Sequence, residues 1–247
     1  MRPSRGGDPT VSVVLPTRNG IRYLDQAVGS VLDQIFEDWQ LILVDDASDP
    51  PTATRVDHWS RVDPRIRAVH LPVRRHLPGA LNRGFDRASG RYWGWISDDN
   101  RYRPLALDRF VDHLDAHPRV DVIYSDYTVI DHDGREKGVG VTGLPEDLPT
   151  RNVVGPSFLF RPGVFTELGG YDESMRLAEA FGPAPAAGRT RPAPLARPRA
   201  GPACRPPPGR ETQARPRPED PPDGPAGRRG LRPRGGGVHR HGADPRQ

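Results

Sequence analysis

Three apolar runs in the first hundred residues each stop at a cluster of polar or acidic side chains, and this repetition limits the fold more than any other feature. Val11-Ser12-Val13-Val14-Leu15-Pro16 is followed by Thr17-Arg18-Asn19-Gly20. The run from Gln40 to Val44 is followed by Asp45-Asp46-Ala47-Ser48-Asp49 and two prolines, and the run from Tyr92 to Ile96 by Ser97-Asp98-Asp99-Asn100. Runs of this length, rich in β-branched or aromatic residues, predict buried strands. The intervening segments carry helical spacing, with Tyr23, Leu24, Ala27, Val28, Val31 and Leu32 in the first, and further helices predicted over about 52–61 and 77–88. Ser89-Gly90 reads as the stop of the third helix, and 66–71 as one more strand. Strand and helix alternate, which implies an α/β fold with a mainly parallel, Rossmann-like sheet and helices on both faces. After Pro104 the pattern predicts a helix to about Ala116 and a strand-rich stretch from Val120 to Asp131. A turn at His132-Asp133-Gly134, a return over 138–142, a short strand over 155–160 and a helix from Pro162 to Leu168 follow.

Open sheets of this kind hold ligands at the carboxyl ends of their strands. Asn19, Asp45, Asp46, Asp98, Asp99 and Asn100 all fall there. Adjacent carboxylates repel each other unless a cation or hydrogen-bond donors compensate. A hard divalent ion, Mg²⁺ or Mn²⁺, suits one or two carboxylates plus substrate phosphates. The plainer alternative is that Asp98-Asp99-Asn100 caps the next helix. No Gly-x-Gly-x-x-Gly follows the first strand and no Gly-x-x-x-x-Gly-Lys-Ser/Thr occurs anywhere, which argues against a dinucleotide fingerprint or a P-loop. Acids at two strand ends fit a different ligand. One carboxylate meets a base or ribose, and a metal stands between another and a diphosphate, neutralising charge as that diphosphate departs.

These residues carry a resemblance. Val11 to Asn19 resembles the opening of family 2 glycosyltransferases, and Leu41-Ile42-Leu43-Val44-Asp45-Asp46-Ala47-Ser48 their second strand with its acidic end. Leu77-Pro78-Gly79-Ala80-Leu81-Asn82-Arg83-Gly84 resembles the segment before their metal strand. Ser97-Asp98-Asp99-Asn100 stands where they carry an Asp-x-Asp-type motif, and Gly169-Gly170-Tyr171-Asp172-Glu173 resembles their turn near the acceptor. The resemblance implies a GT-A fold, a hexosyltransferase-like enzyme, an inverting reaction, a nucleotide-sugar donor and a glycan or glycolipid acceptor in bacterial surface polysaccharide or glycolipid synthesis. It places Pro16, Thr17 and Asn19 along the nucleotide, Asp45 or Asp46 on the base, Asp98 on the ribose and Asp99 on the Mg²⁺ or Mn²⁺ ion. Asn82 joins this donor set, although capping or packing would explain it equally well. One of Asp45 and Asp46 is expected to cap its loop, and Asp172 and Glu173 to shape a turn. His113, His117 and His132 lack metal-like spacing and are expected in solvent.

The departure from the family pattern lies at the acceptor side. An inverting transfer needs a general base for the acceptor hydroxyl, in this family usually the Asp of a Glu-Asp pair. Here Arg176-Leu177-Ala178-Glu179 is followed by Ala180. Glu179 is the nearest carboxylate, but a neighbouring position points its side chain elsewhere. The expectation is a chain that keeps its donor site and has lost most of its acceptor site, so a catalytically impaired nucleotide-sugar-binding remnant is the alternative to an active transferase.

Composition changes abruptly at the same place. Residues 182–247 are Pro, Arg, Gly and Ala-rich, without Ile, Phe, Tyr, Trp, Met, Asn or Lys. Such a segment buries too little apolar surface to offset its ordering entropy, so it is expected to be a disordered tail. The expected organisation is a disordered 1–9, a glycosyltransferase domain over 10–181, and the tail. Arginines exceed acids by about nine in the tail, so the overall charge of +4 conceals an acidic body. The single lysine, Lys137, in an Arg-rich chain suggests a GC-rich gene. The tail then resembles out-of-frame translation, which reading the gene's other frames beyond codon 180 would test. Without interleaved aromatics the tail is a poor nucleic-acid ligand. The one cysteine, Cys204, lies in the tail, and no apolar run approaches the roughly 18 residues of a membrane span. A cytoplasmic protein is expected, with peripheral contact at the inner face of the membrane and the oligomeric state left open. A response-regulator receiver would end its first strand, not its second, in the acidic pair. A nucleotidyltransferase would want a Gly-rich basic loop where only Arg18 stands.

Overall fold

The computed structural model describes residues 7–144, 147 and 154–174, together with the backbone of 195–196 and 212–214. Arg176 to Ala180, and so Glu179, lie outside the described residues. So do most of the tail and residues 1–6 of the amino terminus. All described residues belong to one unit, Met1–Pro216; a second, Arg217–Gln247, contains none of them.

Alternation in β1 (Val11–Thr17) and β2 (Trp39–Asp45) sorts side chains to two sides of one sheet. Val11, Val13, Leu15, Leu41 and Leu43 enter one core, shared with Leu24, Ala27, Val28 and Val31 of α1 (Ile21–Leu32) and Val56 of α2 (Pro50–Val62). Leu107, Phe110, Val111 and Leu114 of α4 (Ala106–Ala116) complete that side. Val14, Ile42 and Val44 face the opposite core, filled by Ala80, Leu81 and Phe85 of α3 (His76–Phe85) and Val164 of α5 (Pro162–Leu168). Helices therefore cover both faces, and strands buried on both faces account for the continuous apolar runs.

The strand order is β3-β2-β1-β4-β8-β5, with β3 at Ile66–His70, β4 at Tyr92–Trp95, β5 at Val122–Tyr124 and β8 at Phe158–Phe160. β3, β2, β1 and β4 run parallel, while β8 is antiparallel to both β4 and β5. The two-residue segment Leu195–Ala196 pairs parallel to β5. The stretch read as one strand-rich unit from Val120 to Asp131 splits at Ser125-Asp126. β5 joins the main sheet, and β6 (Tyr127–Ile130) pairs antiparallel with β7 (Glu136–Gly140) in a second sheet. Thr212–Ala214 lies parallel to β6 in that sheet.

One local expectation is corrected and one alternative falls away. α3 ends at Phe85, and Asp86 at its C-cap is right-handed, so Ser89-Gly90 does not stop the helix. Gly90 is instead needed for close approach. A Cβ there would lie 2.7 Å from the Ser12 backbone nitrogen, and the Gly90 N–H donates to Ser12 Oγ at 2.8 Å. Asp98-Asp99-Asn100 also caps no helix, since α4 begins at Ala106 with Leu105 at its N-cap.

Candidate active site

Strand register lines up the first part of the site. Thr17 is opposite Asp45, and Asp45 is opposite His70, so the carboxyl ends of β1, β2 and β3 form one row. β4 lies on the other side of β1, with Val14 opposite Trp95. The chain then runs past the sheet end, and Asp98 reaches Thr17, whose Oγ1 donates to Asp98 Oδ2 at 2.6 Å. Two residues 81 apart in sequence are thus joined. Gly20 leaves the space for that carboxylate, because a Cβ there would stand 1.8 Å from Asp98 Oδ2.

The loops after β1 and β2 bind each other. The Arg18 guanidinium donates to the carbonyls of Asp46 and Ala47, at 2.8 and 2.5 Å. Asn19 sits in the left-handed region at φ 54°. Its N–H donates to Ser48 Oγ, and its Oδ1 accepts the Asp49 N–H at 2.8 Å, next to the start of α2. Asn19 therefore shapes these loops. Pro16 stands in β1 opposite Val44.

Asp45 and Asp46 are both buried, at 3% and 4% exposure, yet their partners differ. Asp45 Oδ1 accepts the Ser48 N–H at 2.9 Å and Oδ2 meets His70 Nδ1 at 2.9 Å. Asp46 Oδ1 accepts the Arg75 N–H at 2.5 Å. Asp45 thus has the loop-organising place. His70 Nε2 in turn meets Asp57 Oδ1 on α2 at 2.9 Å. Burial opposes charge on this imidazole, but the hydrogen bonds to Asp45 and Asp57 and their negative charges outweigh it and raise its titration above the ordinary value. Sequence reading passed over His70, although its position at the end of the third predicted strand was a usable signal.

Asp99 Oδ1 accepts from Ser97 Oγ at 2.9 Å, and the Asn100 N–H from the same turn donates to the Ser97 carbonyl. Asp98 and Asp99 are half-buried and present oxygen donors alone, a set that fits Mg²⁺ or Mn²⁺ and not a soft metal. A second group, Asp131, His132 and Asp133, brings ligand atoms within 4.8 Å of one another on the β6–β7 hairpin. Cations of the chain already occupy it. Lys137 Nζ lies 3.3 Å from Asp131 and an Arg135 nitrogen 2.8 Å from Asp133. His132 is exposed as expected, whereas His113 is half-buried and stacked on His117 at 4.1 Å, and burial lowers its titration.

Asn82 faces the turn after α5. Its Nδ2 donates to the Tyr171 carbonyl at 2.9 Å and to Glu173 Oε1 at 3.2 Å, and its Oδ1 accepts the Tyr171 N–H at 2.8 Å. The packing alternative fits this geometry directly. Asp172 accepts from the backbone and hydroxyl of Ser174, which shapes the turn.

The profile of Glycosyl transferase family 2 matches residues 12–166, more than half of the chain. TuaG of Bacillus subtilis, named as a teichuronic acid biosynthesis glycosyltransferase, is 32% identical over 106 residues, which is 43% of this chain and 42% of TuaG. An uncharacterised glycosyltransferase of Rickettsia felis is 29% identical over 182 residues, or 68% of this chain and 29% of that protein. The chain thus spans about two fifths or less of these two curated relatives. Among solved structures, S. aureus TarS 1–349 in complex with UDP-GlcNAc superposes with a TM-score of 0.58 at 18% identity, over 69% of this chain and 51% of that one. The Pyrobaculum calidifontis mannosyltransferase PcManGT, in complex with GDP-Man and Mn²⁺, gives 0.52 at 20% identity, over 70% and 50%. These two likenesses show a GT-A-like fold. The profile match, which runs through the strands and loops that hold Thr17, Asp45, Asp46, Asp98 and Asp99, shows that the chain belongs to glycosyl transferase family 2.

Proposed function

We propose that the chain binds a nucleotide-diphosphate sugar across the ends of β1, β2 and β4, in a metal-dependent, inverting transfer to an acceptor hydroxyl. The observation that carries this reading is the Thr17–Asp98 hydrogen bond, which brings β1 and the acidic end of β4 to one point beside the Asp45-Asp46 loop. Asp46 is better placed than Asp45 to meet the base, because both Asp45 oxygens already accept from Ser48 and His70. Pro16 and Thr17 border the nucleotide, and Asp98, oriented by Thr17, takes the ribose. Asn19 and Asn82 act through the loops they hold. Asp99 is the residue that would hold Mg²⁺ or Mn²⁺. When bound, that ion supplies positive charge beside the diphosphate.

In the transfer itself the acceptor oxygen attacks the anomeric carbon while the bond to the diphosphate breaks on the opposite face. The diphosphate keeps the electron pair and a base takes the hydroxyl proton. The sequence places Ala180 where that base is expected, with Glu179 beside it. This favours a second reading, a chain that binds the donor, hydrolyses it slowly and transfers poorly. TuaG's name makes a teichuronic-acid-like polymer the first acceptor to test within the glycan or glycolipid class that the resemblance implies.

Calorimetry with UDP-GlcNAc and GDP-mannose, with and without Mn²⁺, tests the donor site. Binding that strengthens with Mn²⁺, and loses that gain in Asp99→Asn, is the expected result. No association of either nucleotide under any condition would refute the reading. Ordinary transfer turnover would refute the impaired-acceptor reading alone.

A further inference from the structure

We propose that His70 is a positioning residue of the donor site: as an imidazolium it ties the acidic loop after β2 to α2, so that sugar-nucleotide affinity falls when the ring loses a proton. The inference rests on the donor-site reading above.

Both ring nitrogens face carboxylates, Nδ1 at 2.9 Å from Asp45 Oδ2 and Nε2 at 2.9 Å from Asp57 Oδ1. An ionised carboxylate only accepts, so both bonds form only when both nitrogens carry protons. A neutral ring would turn a lone pair toward one of the two acids. Asp45 is 3% exposed and cannot exchange its partner for bulk water without the loop opening. Its other oxygen holds the Ser48 N–H, and Ser48 Oγ holds the Asn19 N–H. The Asp46 N–H donates to the Thr17 carbonyl, and Thr17 holds Asp98. Hydrogen bonds thus run from His70 through both loops to the ribose carboxylate. The register Thr17–Asp45–His70 places these links side by side, and Leu71 N–H on the Asp45 carbonyl keeps β3 in step. The charged groups on the ring are Asp45 from β2 and Asp57 from α2, and Arg61 stands 4.0 Å from Asp57. Neither carboxylate is the proposed metal ligand. The raised titration of His70 agrees with this arrangement.

Linkage makes the proposal reciprocal. If protonated His70 favours the binding-competent loop, bound nucleotide must raise the ring's titration midpoint, and each pH unit of rise corresponds to about a tenfold loss of affinity across the titration. The test uses the full chain, with UDP-GlcNAc and GDP-mannose plus Mg²⁺ as probes. The His70 ring resonances, assigned by their loss in His70→Gln, are followed against pH with and without nucleotide, and affinities are measured over the same range. The expected result has three parts. The free-protein midpoint lies above that of an ordinary histidine and moves upward with nucleotide. Affinity falls with rising pH in the natural chain. His70→Gln binds more weakly at low pH and shows a flat profile there, and Asp57→Asn, whose amide can donate to a neutral ring, flattens the profile without that loss. An unmoved midpoint, or an identical pH profile in His70→Gln, would overturn the proposal. Failure of every chain to bind at any pH would instead sink the donor-site reading, and the free-protein midpoint would still report whether the imidazolium link exists.

Discussion

A methyl group on Gly20 would sit 1.8 Å from Asp98 Oδ2 and 2.7 Å from Thr17 Oγ1. The backbone there has φ −85°, which alanine adopts without strain, so the obstacle is the carboxylate itself. Gly20→Ala is therefore expected to displace Asp98, lower sugar-nucleotide affinity by about tenfold or more, and lower the melting temperature, because the Thr17–Asp98 bond is lost with it. Thr17→Val tests the other side of the same contact. Its shape is kept, but Asp98 loses a donor, and a hydrogen bond to a charged group contributes about 1.5–3 kcal/mol. A denaturant titration should show a loss of that order together with weaker binding. Sequence alone showed that acids gather at strand ends, because strand termini follow from apolar runs. It did not show which oxygen of Asp45 or Asp46 is already engaged. That depends on parallel register bringing His70 beside Asp45, and on Arg75 approaching Asp46 from outside the sheet.

Among elements, the clearest joint is between α3 and the turn after α5. Asn82 satisfies both the N–H and the carbonyl of Tyr171. Phe85, one turn on, stacks against Tyr171 at 6.3 Å and packs at a tilt against Phe165 at 5.0 Å. Asn82→Leu removes both bonds and leaves two partly buried backbone groups without their partner, at a cost of about 1–3 kcal/mol. Hydrogen exchange should quicken at 169–173 and remain slow in β1 and β2. The alternation from β1 to β4 was legible because β1 and β2 are buried on both faces, β3 and β4 carry apolar runs beside them, and each helix has one apolar side. The division of 120–131 was not. β5 and β6 are three and four residues long, and an apolar pattern that short fits one strand bent or two strands in different sheets. Ser89-Gly90 was misread for a related reason. A glycine after a helix and a glycine pressed against a neighbouring strand look alike until the contact with Ser12 is known.

Over the whole molecule, Asp63 and His70 pull stability in opposite directions as pH changes. Asp63 accepts from the Arg65 guanidinium at 2.7 and 3.1 Å, and this bond, acting against burial, lowers its titration. Arg65 also stacks on Trp39 at 3.8 Å, so the ion pair anchors the start of β3 to β2. Its contribution is present above the unfolded carboxylate value near 4 and is lost as pH falls through the lower folded value. His70 acts in the other direction. With its titration raised, the imidazolium link is fully present below the unfolded value of about 6.5 and is lost as pH rises through the higher folded value. From these two groups, melting temperature measured against pH should decline below about 4 and above about 6.5, while His113, whose burial disfavours its charged form, works against the alkaline decline. The acidic body, whose charge the basic tail masks in the total of +4, also repels itself more as histidines discharge. A decline above pH 6.5 is thus not by itself diagnostic. The variants separate the causes: His70→Gln should flatten the alkaline decline while keeping the acid one, and Asp63→Asn should do the reverse. An alkaline decline that persists unchanged in His70→Gln would assign it to general repulsion and remove His70 from the account of stability.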